Sequence, residues 1–104
     1  MKGFTTNIEK AIVQNSNFRK VLYTGRHSQL VLMSLKMGEE IGMETHPDND
    51  QFFRFEQGEG KCIIDSNEYM VGDGDVIVVP AGAKHNIINT SKLEELKLYT
   101  IYSP

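Results

Sequence analysis

The sequence lacks the features that mark disulfide-stabilised, secreted and membrane-spanning proteins. A single cysteine among 104 residues cannot form an internal disulfide and is too few for a Cys/His zinc ribbon, which favours a reducing compartment. No stretch approaches the roughly eighteen apolar residues of a membrane span, and the first ten residues contain no apolar core of a signal peptide. We therefore expect a cytoplasmic protein that does not insert into membranes.

Basic clusters, linkers and repeats are missing as well. Eleven Lys and Arg residues against fourteen Asp and Glu give a formal net charge of −3, and the basic residues form no run that would neutralise phosphates. We therefore predict no nucleic-acid partner. Pro, Gly and Ser accumulate nowhere as in a linker, and a chain of this length supports one core, so residues 1–104 are predicted to form a single domain.

The chain does contain a series of short apolar runs rich in Val, Ile, Leu, Phe and Tyr, separated by turn residues at close intervals. This pattern is typical of an all-β sandwich or barrel with little helix. The runs predict strands at about 18–24, 28–37, 41–47, 51–57, 60–65, 68–71, 75–79, 84–89 and 95–102.

Turn residues fix one hairpin, and two segments stay open. Ser66 and Asn67 lie between CIID and EYMV and predict a β-hairpin over 60–71. The segment 7–13 fits either a strand or a single helical turn. The segment 91–98 fits a helix that starts at a capping box, or a loop that leads into a strand. We favour the loop and strand because LKLYTIY is strongly β-forming.

Two of the three histidines stand in settings that suit metal binding, one of them in the third predicted strand. Glu44 and His46 are two residues apart there, so their side chains point to the same face with Cα atoms roughly 6.5 to 7 Å apart. That separation suits two ligands of one ion. In the next predicted strand Gln51 shares a face with Phe53 and Phe55, so Gln51 can face the same cavity between aromatic walls.

Two spaced patterns in the chain resemble the two sequence motifs of the cupins. The first covers 38–58 and contains, in order, Gly38, Glu44, His46, Gln51 and Gly58. The second covers 74–89, matches the family pattern at every defined position, and contains Gly74, Pro80, Gly82, His85 and Asn89. A match to so many defined positions in order is typical of one fold.

The resemblance implies an all-β double-stranded β-helix, the jelly-roll cupin barrel, with one divalent metal ion at its centre. Carried over position by position, the metal ligands are Glu44, His46, Gln51 and His85. Glu44 stands where the family usually has His, and Gln51 stands where it usually has Glu. This mixed nitrogen and oxygen set suits Zn, Mn, Fe(II) or Ni. Lining of the pocket is expected from Met33, Phe53 and Phe55.

The chain is also similar to a group of small bacterial and archaeal cupins often labelled mannose-6-phosphate-isomerase-like. The similarity runs through YTGRHSQLVLMSL, HPDNDQFFRFEQGEG and LKLYTIYSP. Members of this group often continue past the last strand with a polar tail that contains histidine. This chain stops at Pro104, so a tail of that kind would be missing from it.

Three functions remain open at this point. The first is a metal-dependent, isomerase-like enzyme acting on a small polar molecule such as a sugar or sugar acid. No free carboxylate is left as a base once Glu44 binds the metal, and no phosphate-binding Lys/Arg cluster is visible. The second is an Fe or Ni dioxygenase that uses the open positions of a Glu44, His46 and His85 triad. The third is a non-catalytic module that binds a small molecule or a metal.

The remaining polar residues are expected to have structural roles. His27 follows a turn and should lie on the surface, Arg54 should alternate outward from Gln51, and Asn89 should fix the backbone. The terminal strand LKLYTIY would be prone to pairing if its edge were uncovered, and small cupins commonly pair, so we expect a homodimer.

Overall fold

A computed structural model describes all 104 residues as one short helix followed by nine strands. The helix α1 spans Ile8–Gln14. The strands are β1 Arg19–Thr24, β2 Gln29–Leu35, β3 Glu44–Thr45, β4 Asp50–Gln57, β5 Gly60–Ile64, β6 Asn67–Val71, β7 Val76–Val79, β8 Lys84–Asn89 and β9 Leu96–Ser103. The all-β prediction is confirmed.

The strands form two antiparallel sheets that enclose the core. One sheet has five strands in the order β1-β2-β9-β4-β7, and the other has four in the order β3-β8-β5-β6. Residues of the core cluster alternate along β2, β4 and β9, as the pleat of a strand requires. The core cluster comprises Val31, Met33, Leu35, Phe53, Phe55, Cys62, Val71, Val79, Ile87, Leu96 and Leu98. Both sheets contribute to it, so the core lies between them.

The segment 7–13, which fits a strand or a helical turn by sequence, forms most of α1. The side chain of Asn7 caps the helix by accepting a hydrogen bond from the backbone N–H of Lys10 at 3.0 Å. Ile12 is the buried residue of the helix. Just after the last residue of α1, the carbonyl oxygen of Asn15 accepts a hydrogen bond from the Lys97 ammonium of β9. This bond connects the end of α1 to the five-stranded sheet.

Eight strands lie within two residues of their predicted ends, and β3 differs most. It has two residues where about seven were expected, because the chain before it makes few ladder bonds. Gly42 has a φ of 102°, and its N–H donates to the side chain of Asn86 rather than to a neighbouring strand. The segment before Gly42 still bonds to β8 through Glu39 and Ile41, and the side-chain bond at Gly42 interrupts the ladder between that contact and β3.

Side-chain hydrogen bonds stabilise the turns before β6 and β9. The β5–β6 turn lies at Asp65–Ser66, one residue earlier than predicted. Asp65 adopts a left-handed φ of 54°, which Asp tolerates, and its carboxylate accepts from the N–H of Lys84. The Ser91 hydroxyl accepts from the N–H groups of Leu93 and Glu94 in a short turn. Strand β9 begins after this turn, which confirms the loop-and-strand interpretation.

The last strand lies in the middle of its sheet. Strand β9 pairs with β2 on one side and with β4 on the other, so neither of its edges is open. The condition for pairing through this strand, an uncovered edge, is therefore not met, and the homodimer stays a prediction. The structure has no helix with the length and apolarity that crossing a membrane requires.

Candidate metal centre

Strand pairing brings three potential metal ligands together at one end of the barrel. Glu44 of β3 lies directly opposite His85 of β8, and side chains of directly paired residues point to the same face. His46 follows two residues after Glu44. The ligand atoms of the three side chains all lie within 4.8 Å of one another. Two donors to one ion stand roughly 3 to 4.4 Å apart, so small side-chain movements would let these three hold a metal ion.

His85 is buried and is oriented by the backbone. Its Nδ1 atom lies 3.1 Å from the carbonyl oxygen of Ala83, and only 2% of the residue is exposed. A carbonyl oxygen can only accept, so the tautomer with its proton on Nδ1 would donate to Ala83 and turn the lone pair of Nε2 into the site. Metal-binding histidines are commonly held in this way, with the second ring nitrogen donating to a carbonyl.

Gln51 reaches the same point from the opposite sheet. Its amide nitrogen donates to the Thr100 hydroxyl at 2.9 Å, and its Oε1 atom lies 3.1 Å from Nε2 of His85. A neutral imidazole carries one ring proton, so it can donate to only one of the two oxygens that face its nitrogens, the Ala83 carbonyl and Gln51 Oε1. A cation bound by Nε2 and Oε1, with the proton on Nδ1, would satisfy both nitrogens and both oxygens, so the donor set fits a metal ion on chemical as well as spatial grounds.

Glu44 and His46 form the more open side of the centre. The Nε2 atom of His46 lies 3.1 Å from a carboxylate oxygen of Glu44, and their side chains are 29% and 39% exposed respectively. The ring of His46 packs edge-on against Tyr102. The backbone carbonyl oxygen of His46 accepts a hydrogen bond from the N–H of Gly82 in the turn before β8. The centre therefore has a buried floor and a side that faces solvent.

An open cavity of about 440 Å³ adjoins this side. Its wall is largely polar and is formed by Arg19, Thr24, Gly25, Arg26, Ser28, Gln29, Glu44, His46, Asn49, Tyr102 and Pro104. The three residues expected to line a pocket lie elsewhere. Met33, Phe53 and Phe55 belong to the buried core, where the ring of Phe53 packs edge-on beneath His85.

Sequence reasoning missed the two arginines of this cavity. It found no Lys/Arg cluster because Arg19 and Arg26 are separated in sequence, but the β1–β2 hairpin and its turn bring both to one wall. Only the register of the hairpin, which the sequence pattern does not fix, could have revealed them.

Three expectations for residues outside the centre are met. His27 is exposed in the β1–β2 turn, and Arg54 lies on the outer side of β4, 3.4 Å from Glu56. Asn89 donates to the carbonyl oxygens of Leu35 and Glu94, and its own oxygen accepts from the N–H of Ser91. The Asn89 side chain therefore fixes the backbone and does not face the cavity.

Comparison with known proteins gives relatives along nearly the whole chain. The chain is 50% identical over 109 residues to the uncharacterized protein YrkC of Bacillus subtilis, a match that covers 99% of this chain and 58% of that protein. It is 45% identical over 104 residues to the uncharacterized protein L612 of Acanthamoeba polyphaga mimivirus, covering 97% of this chain and 65% of that protein. The chain thus spans less than two thirds of the length of either relative.

Solved structures and a family match agree on the fold. The crystal structure of BH2720 from Bacillus halodurans matches with a TM-score of 0.96 and 42% identity, over 99% of this chain and 82% of that one. KdgF from a Halomonas species matches with a TM-score of 0.76 and 19% identity, over 83% and 76% of the two chains, and supports the fold alone. The Cupin domain family matches residues 31–102. The chain therefore belongs to the cupin superfamily.

Proposed function

We propose that the chain binds one divalent metal ion through Glu44, His46 and His85, with Gln51 as the fourth ligand. The observation that carries this proposal is the buried contact of Gln51 Oε1 with Nε2 of His85, whose other nitrogen faces the Ala83 carbonyl, so that a neutral ring has one N–H for two acceptors. Glu44 and His46 line the cavity, and their ligand atoms lie within 4.8 Å of each other and of the ligand atom of His85. One carboxylate among the four ligands leaves a divalent ion with a net positive charge.

The ion is one of Zn, Mn, Fe or Ni, since a mixed imidazole, carboxylate and amide set suits all four. When bound, such an ion acts as a Lewis acid toward an oxygen of a small polar molecule. The protein's own contribution is orientation: Ala83 and Thr100 hold His85 and Gln51 from behind, away from the cavity. We infer an enzyme acting on a sugar or sugar derivative, in keeping with the isomerase-like resemblance.

A second candidate is a binding module without turnover. Moving a proton between the carbons of a sugar requires a base, and no carboxylate side chain other than Glu44 lines the cavity. If Glu44 binds the metal, the cavity walls offer no second carboxylate side chain for this step. This observation favours saturable binding without turnover. Incubation of candidate sugars with metal-loaded protein in D₂O, followed by NMR, separates the two, because isomerisation exchanges a carbon-bound proton.

Metal content by plasma mass spectrometry tests the centre itself. Wild-type protein is expected to hold close to one equivalent of metal, and His85→Ala and Glu44→Ala are expected to lose most of it. The matched control is His27→Ala, which removes an exposed imidazole outside the cavity and should retain the metal. Circular dichroism verifies that each variant is folded.

The outcome also separates the chemistries. Zinc or manganese would support Lewis-acid chemistry, whereas iron or nickel would favour a dioxygenase that uses the triad of Glu44, His46 and His85. A wild-type protein that holds no metal and binds none on titration would contradict the metal centre.

A further inference from the structure

Two arginines of the cavity have no acidic partner. None of the four ion pairs in the protein involves Arg19 or Arg26. The single side-chain hydrogen bond of Arg19 goes to the neutral amide oxygen of Gln29, at a long 3.4 Å. Both guanidinium groups therefore line the cavity with most of their donors free.

The position of Arg19 connects it to the metal centre. Arg19 lies opposite Met33 in the β1–β2 pair, and the side chain of Met33 faces the core, so Arg19 extends from the inner face of the edge strand. Farther along the sheet, a row of directly paired residues runs from Gln29 through Tyr102 to Gln51. The row spans the distance between the Arg19 contact at Gln29 and the candidate ligand Gln51.

The charged side chains of the cavity wall differ in balance from those of the whole protein. The chain has a formal net charge of −3, yet the cavity wall contains two arginines and a single carboxylate side chain, Glu44. Any divalent ion bound by Glu44 adds further positive charge. Both arginines are exposed, so water can reach their donors, and a carboxylate or phosphate group matches the fork of N–H donors that each presents.

We propose that the cavity binds a small polar molecule that carries an oxyanion, with Arg19 and Arg26 holding the carboxylate or phosphate group. Hydroxyl or carbonyl oxygens of the same molecule then face Glu44 and His46. The volume of about 440 Å³ lies in the range of small-ligand pockets, roughly 300 to 1,000 Å³, and suits a molecule of metabolite size. The part that concerns metal coordination rests on the proposed function; the arginine contact does not.

Isothermal titration calorimetry with three probes at one ionic strength tests this proposal. Gluconate carries a carboxylate, glucose 6-phosphate carries a phosphate, and glucose carries neither. We expect one of the two anions to bind at least about tenfold more tightly than glucose, which corresponds to the loss of a charged hydrogen bond. The better of the two anions identifies the oxyanion.

Variants locate the contact. Arg19→Gln and Arg26→Gln are each expected to weaken anion binding by about tenfold while leaving glucose binding unchanged. The matched control is Lys20→Gln, which removes an exposed charge from the adjacent position of β1, on the opposite face of the strand. Its anion affinity should stay within about twofold of wild type, since it lies outside the cavity.

Titrations of metal-loaded and chelator-treated protein keep the two proposals apart. Anion binding that persists without metal and falls in the arginine variants supports the arginine contact even if the metal centre fails. Equal affinity for glucose and both anions, no anion binding at tens of millimolar, or an equal loss in Lys20→Gln would each overturn the arginine contact. In that case the metal content of the same samples would still show whether the proposed metal centre binds an ion.

Discussion

At the scale of single residues, Cys62 gives a pH-dependent prediction. Its thiol is fully buried in the core, and burial raises its pKa from the ordinary value of 9.0 to about 11. Between these two values the unfolded chain loses this proton and the folded protein keeps it. The contribution of Cys62 to stability is therefore complete below about pH 9 and falls as the pH rises toward 11.

We expect Cys62→Ala to be less stable than wild type by about 1 to 2 kcal/mol at pH 8, because a small cavity replaces the sulfur. Between about pH 8 and about pH 10.5 the difference in unfolding free energy between the two proteins, the gap, should narrow. Wild type loses stability over this range because only it contains the thiol. Urea unfolding of both proteins at the two pH values measures the gap, and the shared Lys and Tyr titrations cancel. A gap that stays constant or widens would contradict this account.

The candidate ligands also show what the sequence could predict at this scale. Glu44 and His46 were placed on one face by strand alternation, and the cupin resemblance added Gln51 and His85. The structure brings all four together. The orientation of His85 by Ala83 was not predictable, because it depends on where a backbone carbonyl lies in three dimensions.

At the scale of elements, the end of β4 depends on a glycine. The register of β4 with β9 shifts between Phe55 and Gln57, and the chain then passes close to the start of β9. Gly58 has a φ of 107°, and an added Cβ would lie 2.7 Å from the carbonyl oxygen of Glu95. Both the backbone conformation and the lack of space require glycine here.

We predict that Gly58→Ala destabilises the protein by about 3 to 5 kcal/mol, combining backbone strain with a clash against backbone that cannot move freely. Gly74→Ala is the matched control. Gly74 also has a positive φ, 85°, but an added Cβ there would meet nothing within 4 Å, so only the strain of about 1 to 2 kcal/mol applies. Thermal or urea unfolding measures both, and equal losses would refute the role of close packing against β9.

Element order and strand positions followed from the sequence because period-two runs and turn residues agree along most of the chain. The exceptions have local causes. Strand β3 is short because Asn86 binds the N–H of Gly42, and the β5–β6 turn moves by one residue because Asp65 accepts a left-handed conformation. Both depend on side-chain contacts between segments distant in sequence, or on one residue's φ, which a hydrophobic pattern does not encode.

At the scale of the whole molecule, the two edges of the five-stranded sheet are β1, which carries Arg19 and Lys20, and β7, which consists of apolar residues. Strand β7 pairs only with β4, and its outward-facing residues Val76 and Val78 are 52% and 57% exposed. A free edge with exposed valines is a site where a second strand can add and bury apolar surface. We propose that the expected homodimer forms here and not at β9, whose two edges are paired.

The dimer prediction is tested by light scattering coupled to size exclusion. Wild type is expected to have twice the mass of the chain, and Val78→Lys is expected to shift it to the monomer, because a charge in a buried interface costs several kcal/mol without a partner. The matched control is Leu93→Lys, at a loop position that is 91% exposed and far from β7 in the chain. A wild-type monomer at micromolar concentration, or a dimer that both variants retain, would rule out this edge as the interface. Val78 points outward, whereas its neighbour Val79, which pairs with Gln51, points into the core, so the monomeric variant should keep its metal.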